Sequence, residues 1–330
     1  MYLYKKKTFK SLLLAIFIVF IISSCTKGNE DNCVAIRLVY THNILSADAL
    51  KNQVDEVTLY VFDSNGILVQ QCTHDVSSPI IRLTDLRNGN YCFVARAQSK
   101  HITSEQSYFS IPTLKTGVSS IDELTYWMIR DSSGIQRHEL NNFFVGISDV
   151  RIRSSSYVTV ELKKVTNKIK VVLLPYTPGS ALDVADYEFS VVDKIGNGHI
   201  NYDYSLLPDN QITYLPYYAA NLEPENREEI LPDEIDRATV VNINTSRLLE
   251  SNAARLMIRD KKDGGKVIVS MNLPWVISLM KIENNFKWSL QEYLDRQDNY
   301  TIMLFFNDNT WMDSKIIING WVVNAKEIDL

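Results

Sequence analysis

The fold of this chain is decided by the stretch Val57-Thr58-Leu59-Tyr60-Val61-Phe62-Asp63-Ser64-Asn65-Gly66. Six β-branched, aromatic or leucine side chains follow one another here, which is typical of a strand with apolar residues on both faces. The Asn-Gly pair then supplies the positive φ angles of a tight hairpin turn. The stretch therefore predicts a strand that turns back into a partner strand over residues 67–73.

Short strands separated by Gly/Asn turns recur on both sides of this hairpin. Residues 34–40 alternate as a half-buried strand does, and further hairpins are predicted across residues 87–90, 194–198 and 261–265. Many short strands at such spacing are typical of antiparallel β-sandwiches, so the sequence predicts an all-β fold. Residues 283–297 carry apolar side chains on one face and are the best helix candidate in the second half.

The chain has 330 residues, which exceeds what one hydrophobic core usually organises, so we expect two domains. We predict a signal peptide over residues 1–24, an N-terminal β-sandwich domain over residues 25–164 and a C-terminal β-sandwich domain over residues 165–330. The boundary falls between two predicted strands, residues 156–163 and 168–174.

The first 25 residues resemble the signal peptide of a bacterial lipoprotein. Four Lys within residues 5–10 precede an apolar run over residues 12–22, and Ser23 and Ser24 precede Cys25. The run has 11 residues, about half of the ~20 that a membrane-spanning helix needs. Ile22-Ser23-Ser24-Cys25 resembles a lipobox, in which the Cys is acylated and becomes the mature N-terminus. We therefore predict that Cys25 is the lipid attachment residue and that its acyl chains hold the protein on a membrane.

Charge and cysteine content restrict the classes of partner. Removing residues 1–24 takes away four of the 34 basic residues and no acidic one, so 30 remain against 39 acidic residues, a net charge of −9. Such a chain lacks the basic footprint of a nucleic-acid-binding protein. Three cysteines remain besides Cys25, namely Cys33, Cys72 and Cys92. Because this number is odd, at least one thiol has no partner among them, and the sequence leaves open whether the other two form a disulfide. No CxxC or Cys/His cluster occurs, so no metal site is predicted.

Motifs of known catalytic sites are missing, so we expect a protein that is not an enzyme and that has no cofactor. No Gly-x-Ser-x-Gly motif occurs, and Gly264-Gly265-Lys266 has Asp260 where a P-loop requires Gly. Residues 63–66 resemble the start of a calcium loop, but the later ligand positions do not fit. Asp295 and Asp298 could form an acid/base pair, but the intervening Arg296 and Gln297 predict a solvated helix end.

Several motifs along the whole chain resemble the fimbrillin-associated anchor (FimB-like) family of Bacteroidales. Besides the lipobox and residues 57–66, they are Cys33-Val34-Ala35-Ile36-Arg37-Leu38, Gly89-Asn90-Tyr91-Cys92-Phe93-Val94-Ala95, Thr245-Ser246-Arg247-Leu248, Gln291-Glu292-Tyr293-Leu294-Asp295-Arg296-Gln297-Asp298 and Ile316-Ile317-Ile318-Asn319-Gly320-Trp321.

The resemblance implies two tandem transthyretin-like antiparallel β-sandwich domains on a lipid anchor at the outer membrane. The implied function is to hold a fimbrium on the cell surface and limit its length, and the implied partners are stalk pilins bound by strand complementation. Residues 34–40 and 315–323 are our candidate edge strands for this pairing. Related stalk pilins are cut at a basic residue near the N-terminus, whereas Arg37, the first Arg of this chain, lies inside a predicted strand.

Three other functions stay open at the level of the sequence. Tip or stalk subunits of the same superfamily share the fold. A surface glycan-binding lipoprotein would carry some of the 17 Tyr and 5 Trp as an exposed cluster rather than in the cores. A β-sandwich hydrolase would need two carboxylates facing each other in a cleft.

Overall fold

The computed structural model describes residues 32–99, 108–177, 182–223, 237–283, 287–307, 310–318 and 321–323. The α-helices in these ranges are short: α1 (Leu50–Gln53), α2 (Leu273–Glu283) and α3 (Leu290–Arg296). The strands are β1 (Asn32–Val39), β2 (Glu56–Asp63), β3 (Leu68–Asp75), β4 (Ile80–Leu86), β5 (Gly89–Gln98), β6 (Phe109–Ser110), β7 (Thr125–Met128), β8 (Ile135–Gln136), β9 (Phe143–Ile152), β10 (Ser156–Lys164), β11 (Thr166–Pro175), β12 (Tyr187–Asp193), β13 (His199–Asn201), β14 (Ile212–Tyr214), β15 (Tyr218–Leu222), β16 (Ala238–Ser246), β17 (Arg255–Asp260), β18 (Lys266–Asn272), β19 (Asn299–Asn307), β20 (Thr310–Ile318) and β21 (Trp321–Val323).

Strand β2 is buried on both faces, as its sequence predicts. It pairs with β3 on one side and β5 on the other, and its residues from Val57 to Phe62 are all buried. The predicted turn into β3 is confirmed: Gly66 has a φ of +73°, and the Asp63 carboxylate accepts the N–H groups of Asn65 and Ile67 at 2.8 and 3.0 Å. These bonds satisfy the turn backbone, so the hairpin is defined locally.

A seven-stranded sheet with the order β3-β2-β5-β9-β10-β1-β4 forms most of the N-terminal half. Ile36 of β1 and Leu59 of β2 belong to the same core, although three strands, β5, β9 and β10, lie between β2 and β1 in this order. The sheet therefore folds over on itself, and β10, β1 and β4 cover one face of the other strands as in a sandwich. The all-β prediction is confirmed.

The chain between β5 and β9 leaves this sheet and joins strands of the C-terminal half. Strands β6 and β7 pair with β13, and β8 pairs with β14. Tyr126 of β7 and Ile200 of β13 are fully buried in a core that also contains Tyr60 and Val94 of the seven-stranded sheet. The domain boundary between residues 164 and 165 stays a prediction; it coincides with the step from β10 to β11.

Two further sheets pack face to face in the C-terminal half. One has the order β15-β16-β11-β19-β20-β21 and the other the order β18-β17-β12-β14-β8. Val171 and Ile302 of the first sheet share a core with Val191 and Ile258 of the second. Helices α2 and α3 close this core at its edge, because Val276 and Leu294 also belong to it.

Among the described strands, strand direction differs from the antiparallel expectation at three pairs. β1 with β10, β11 with β19, and β8 with β14 run parallel. A parallel pair requires a long crossover connection instead of a tight turn, so no local sequence pattern predicts it.

Two of the predicted hairpins are wrong. β4 pairs with β1 and not with β5 across residues 87–90, and β12 pairs with β14 and β17 and not with β13 across residues 194–198. The hairpin of β17 and β18 across residues 261–265 is confirmed. The predicted helix is present as α3, where the Ser289 hydroxyl accepts the Glu292 N–H at 3.1 Å and caps the first turn.

The predicted signal peptide over residues 1–24 and the predicted lipid attachment residue Cys25 lie outside the described residues. Cys72 and Cys92 are both free thiols, so no disulfide joins any two of Cys33, Cys72 and Cys92. In the described part of the chain, no helix is long and apolar enough to cross a membrane. The same residues contain no group of His, Cys, Asp or Glu that could hold a metal ion.

Candidate functional site

The first candidate edge, residues 34–40, is not an edge, and this prediction is wrong. β1 lies between β10, to which it runs parallel, and β4, to which it runs antiparallel. Val34, Ile36 and Leu38 are fully buried. The strand is therefore held by backbone hydrogen bonds on both sides and by the core beneath it, and no free ladder remains for a partner.

Arg37 occupies the middle of this interior strand. It stands opposite Thr159 of β10 and Ile80 of β4. Its side chain is exposed, but its backbone belongs to two ladders at once. A protease binds several residues of its substrate in an extended conformation in its own active site. β1 therefore has to leave the sheet before cleavage at Arg37.

The second candidate edge, residues 315–323, is an edge only in its last part, because residues 315–318 belong to β20, which is paired on both sides, whereas β21 lies at the end of the sheet. β20 and β21 form a hairpin, and β21 ends the six-stranded sheet with one unpaired side among the described strands. At the end of the seven-stranded sheet, β4 is less suited to pairing. Asp85 interrupts β4 with a φ of +73°, and such an irregularity twists an edge away from flat pairing.

Two of the motifs that suggest the family contact each other. The Arg247 guanidinium forms a bidentate pair with the Asp295 carboxylate, with both nitrogen–oxygen distances at 2.7 Å. Gln291 donates to the Leu248 carbonyl at 3.1 Å and to the Asp295 carboxylate at 3.0 Å. These bonds fasten α3 to the segment that follows β16, and Asp295 is only 8% exposed at its side chain.

A second ion pair joins the two halves of the chain directly. The Lys164 ammonium at the end of β10 pairs with the Asp298 carboxylate after α3, and both side chains are largely buried. Burial lowers the pKa of Lys164, while the neighbouring Asp298 carboxylate opposes this shift. Gln53 of α1 accepts a further hydrogen bond from the ammonium at 3.3 Å.

Arg296 fastens the same helix to the end of β1. Its guanidinium lies 3.4 Å from the carbonyl oxygens of both Thr41 and Asn43, and 2.5 Å from the Glu292 carboxylate. The prediction of a solvated helix end around Asp295 and Asp298 is therefore wrong. Sequence reasoning missed these contacts because the partners lie far apart in the chain, although the motif residues 245–248 and 291–298 contain most of them.

A groove of about 490 Å³ lies beside the exposed ends of β5 and β9. Asp63 and Asp149 both line it, but one Asp63 oxygen already accepts the two hairpin N–H groups. The Cys92 thiol donates to Asp149, and burial raises the pKa of Cys92 to about 12. The thiol therefore stays protonated at neutral pH and does not have the low pKa of a nucleophilic cysteine.

Comparison with protein families gives a match over residues 27–326 to the fimbrillin-A associated anchor proteins Mfa1 and Mfa2. The chain belongs to this family. It is accordingly a fimbria-associated protein, and the resemblance seen in the sequence motifs is confirmed at the level of the family. No curated protein matches the chain.

Solved structures with the same fold come from Bacteroides and Porphyromonas species. A protein of Bacteroides thetaiotaomicron VPI-5482, described as a proposed polysaccharide-binding protein, is 29% identical with a TM-score of 0.74 over 90% of this chain and 99% of its own. A proposed adhesin of the same organism is 26% identical, with a TM-score of 0.75 over the same shares. The fimbrial anchor protein Mfa2 of Porphyromonas gingivalis is 16% identical, with a TM-score of 0.63 over 89% of this chain and 99% of its own, and it shares the fold.

Proposed function

We propose that this protein is the lipid-anchored subunit that attaches a fimbrium to the outer membrane and limits its length. Cys25 would carry the acyl chains, and the fimbrial subunit would add a strand to the free side of β21. The chain would act by holding its partners and not by catalysis.

The position of Arg37 is the observation that carries this proposal. A stalk subunit of this superfamily releases an N-terminal segment by cleavage at a basic residue, as the family resemblance implies. Here the first Arg of the chain lies in a strand that is paired on both sides and buried beneath. A subunit that keeps its first strand keeps the covalent link between its sheets and its lipidated N-terminus, which an anchor requires.

The contacts around α3 support the same proposal at the mechanical level. A force applied at β21 and resisted at the N-terminus must pass between the two halves of the chain. Asp298, Asp295 and Arg296 bind groups on β10, after β16 and after β1. Several charged contacts loaded together resist separation better than one contact does.

A Cys25→Ala variant in the fimbriated cell tests the anchor function. We expect intact fimbriae in the culture medium instead of on the cells, because the acyl link is lost while the fold is unchanged. Cys72→Ala is the matched control, since Cys72 is a free thiol on the edge strand β3, and it should leave fimbriae on the cells. Normal retention of fimbriae in the Cys25→Ala strain would contradict the proposal.

Glycan binding is a second candidate function. The relative described as a proposed polysaccharide-binding protein is 29% identical to this chain. The described residues include large aromatic side chains that are exposed rather than packed in the cores, among them Trp127 and Tyr218. A surface subunit that carries a fimbrium can also bind a glycan, so the two functions are compatible.

A further inference from the structure

The small sheet of β6, β7 and β13 has an outward face that carries an exposed tryptophan. Side chains alternate along a strand, and Tyr126 and Ile200 point into the core with no exposed surface. Trp127 and His199 therefore lie on the outward face, and Trp127 is 44% exposed. Burial of so large an apolar side chain is normally favourable, so its exposure on regular structure is informative.

The Trp127 ring is held in one orientation by its neighbour on β13. Trp127 and His199 stand directly opposite each other in the antiparallel pair, and their rings stack with centroids 3.5 Å apart and an angle of 16°. The His199 Nδ1 atom lies 3.3 Å from the Pro208 carbonyl oxygen, which fixes the imidazole in turn. One face of the indole is thus covered, and little conformational entropy remains to be lost on binding.

The other face of the indole is turned towards β6, whose outward side chain is a small serine. Ser110 of β6 stands opposite Trp127 on that side. A serine side chain is too short to cover an indole, so this face stays open. Ile129, two residues along and 47% exposed, extends the apolar surface next to Tyr108, which stacks on His138 with centroids 4.5 Å apart.

Charge and size restrict what this surface can bind. The outward side chains of the three strands include no Lys, Arg, Asp or Glu; they are Ser110, Thr125, Trp127, His199 and Asn201. The strands have two to four residues each, so the face is far smaller than the roughly 800 Å² per partner of a stable protein interface. The surface suits a small uncharged ligand with one apolar face and hydrogen-bonding groups at its rim.

We propose that Trp127 is the stacking platform of a binding site for a neutral hexopyranose unit of a glycan. One face of such a ring presents C–H groups, which the electron-rich indole face attracts, and its rim presents hydroxyl groups. Ser110, Thr125 and Asn201 supply hydroxyl and amide groups beside the platform. The site rests on the second candidate function above and is independent of the anchor function.

The test uses the full-length protein in detergent and immobilised tetrasaccharides of glucan, mannan and galactan, with tetragalacturonate as the acidic comparison. We expect binding to at least one neutral tetrasaccharide and weaker binding to the acidic one. Trp127→Ala should raise the Kd about tenfold or more, since it removes the central contact. Ser110→Phe keeps the tryptophan but fills the open side, and it should raise the Kd similarly.

Tyr157→Ala is the matched control, because Tyr157 is 44% exposed, as Trp127 is, but lies on β10 of the seven-stranded sheet, so this variant should leave the Kd unchanged. Circular dichroism melting checks that each variant folds. Undiminished binding in Trp127→Ala and Ser110→Phe would overturn the site while the glycan-binding function stands. Wild-type protein that binds none of the tetrasaccharides would overturn both. If the wild type binds no glycan and the Trp127→Ala variant no longer binds fimbrial subunits, the face is a protein interface, and the proposed glycan site is overturned.

Discussion

Lys164 is a charged residue in a buried position that depends on an acidic partner from the other half of the chain. It is 7% exposed, and its ammonium reaches Asp298 across the two halves of the chain. Burial lowers the pKa of Lys164, which means that the folded protein disfavours the charged form and depends on Asp298 to keep it. Such a pair adds little net stability, but removal of one partner leaves the other charge buried alone.

Lys164→Met should therefore lower the free energy of unfolding by about 3–5 kcal/mol, because Asp298 loses its counter-ion in a largely buried position. Urea unfolding monitored by fluorescence measures this change. Lys262→Met is the matched control, since the Lys262–Asp186 pair is solvent-exposed at the lysine, and it should leave the unfolding midpoint near the wild-type value. Equal midpoints for the two variants would contradict the role given to Lys164.

At the scale of the element, the strands themselves follow from the sequence but their partners do not. The turn around Asn65 and Gly66 joins β2 to β3, yet the similar turn at residues 87–90 sends β4 and β5 to different partners. Their apolar faces differ: β4 contributes to one core, through Ile81, whereas β5 contributes to both cores, through Phe93 and Val94. Turn chemistry defines where the chain reverses, and burial decides which strands then pair.

The interior position of β1 predicts that Arg37 resists proteolysis in the folded protein. With an arginine-specific protease under native conditions, we expect cleavage after Arg87, which is exposed in a turn, well before cleavage after Arg37. Mass spectrometry of the time course identifies the fragments. In mild urea, cleavage at Arg37 should appear together with global unfolding, because β1 leaves only when the sheet opens. Native cleavage at Arg37 as fast as at Arg87 would contradict the locked strand and weaken the anchor proposal.

At the scale of the whole molecule, several tyrosine side chains are buried in the hydrophobic cores. Burial raises the pKa of Tyr187 and Tyr293 to about 12. Burial also raises the pKa values of Tyr40, Tyr126, Tyr214 and Tyr300. These hydroxyls can ionise only when the surrounding core opens, so alkaline pH acts on the entire fold.

Stability should therefore fall as pH rises above 10. The unfolded chain releases tyrosine protons from about pH 10, whereas the folded chain keeps those of Tyr187 and Tyr293 to about 12, so the unfolded state binds fewer protons in this window. Each such tyrosine removes about 1.4 kcal/mol per pH unit. The lowered pKa of Lys164 makes stability rise with pH instead of fall, but Lys164 is a single group, whereas several tyrosines act in the other direction.

Urea midpoints at pH 9 and pH 11 measure this loss. Tyr293→Phe should reduce the difference between the two midpoints, whereas Tyr176→Phe, at a residue that is 54% exposed, should not. Identical midpoints at both pH values would show that the buried tyrosines do not control alkaline stability.

The family and the all-β class could be predicted from local patterns, whereas the site could be predicted only in part. The edge at β21 followed from its place at the end of a strand-rich chain, but the interior place of β1 did not follow from residues 34–40. Their alternation fits an edge and an interior strand equally well, because both bury one face. No sequence pattern predicted the exposed position of Trp127, because it depends on the register of three short strands, which places Trp127 between His199 and Ser110.

The sequence by itself determined the strands, the hairpin at Asn65-Gly66, the cap of α3 and the candidate lipid attachment at Cys25, because each depends on residues within a few positions of one another. Only the tertiary structure decided that β1 is enclosed by β10 and β4, that Lys164 meets Asp298, and that Trp127 stays exposed. These contacts join residues far apart in the chain. They are selected by which apolar faces and buried charges can be satisfied together, and no local segment contains that information.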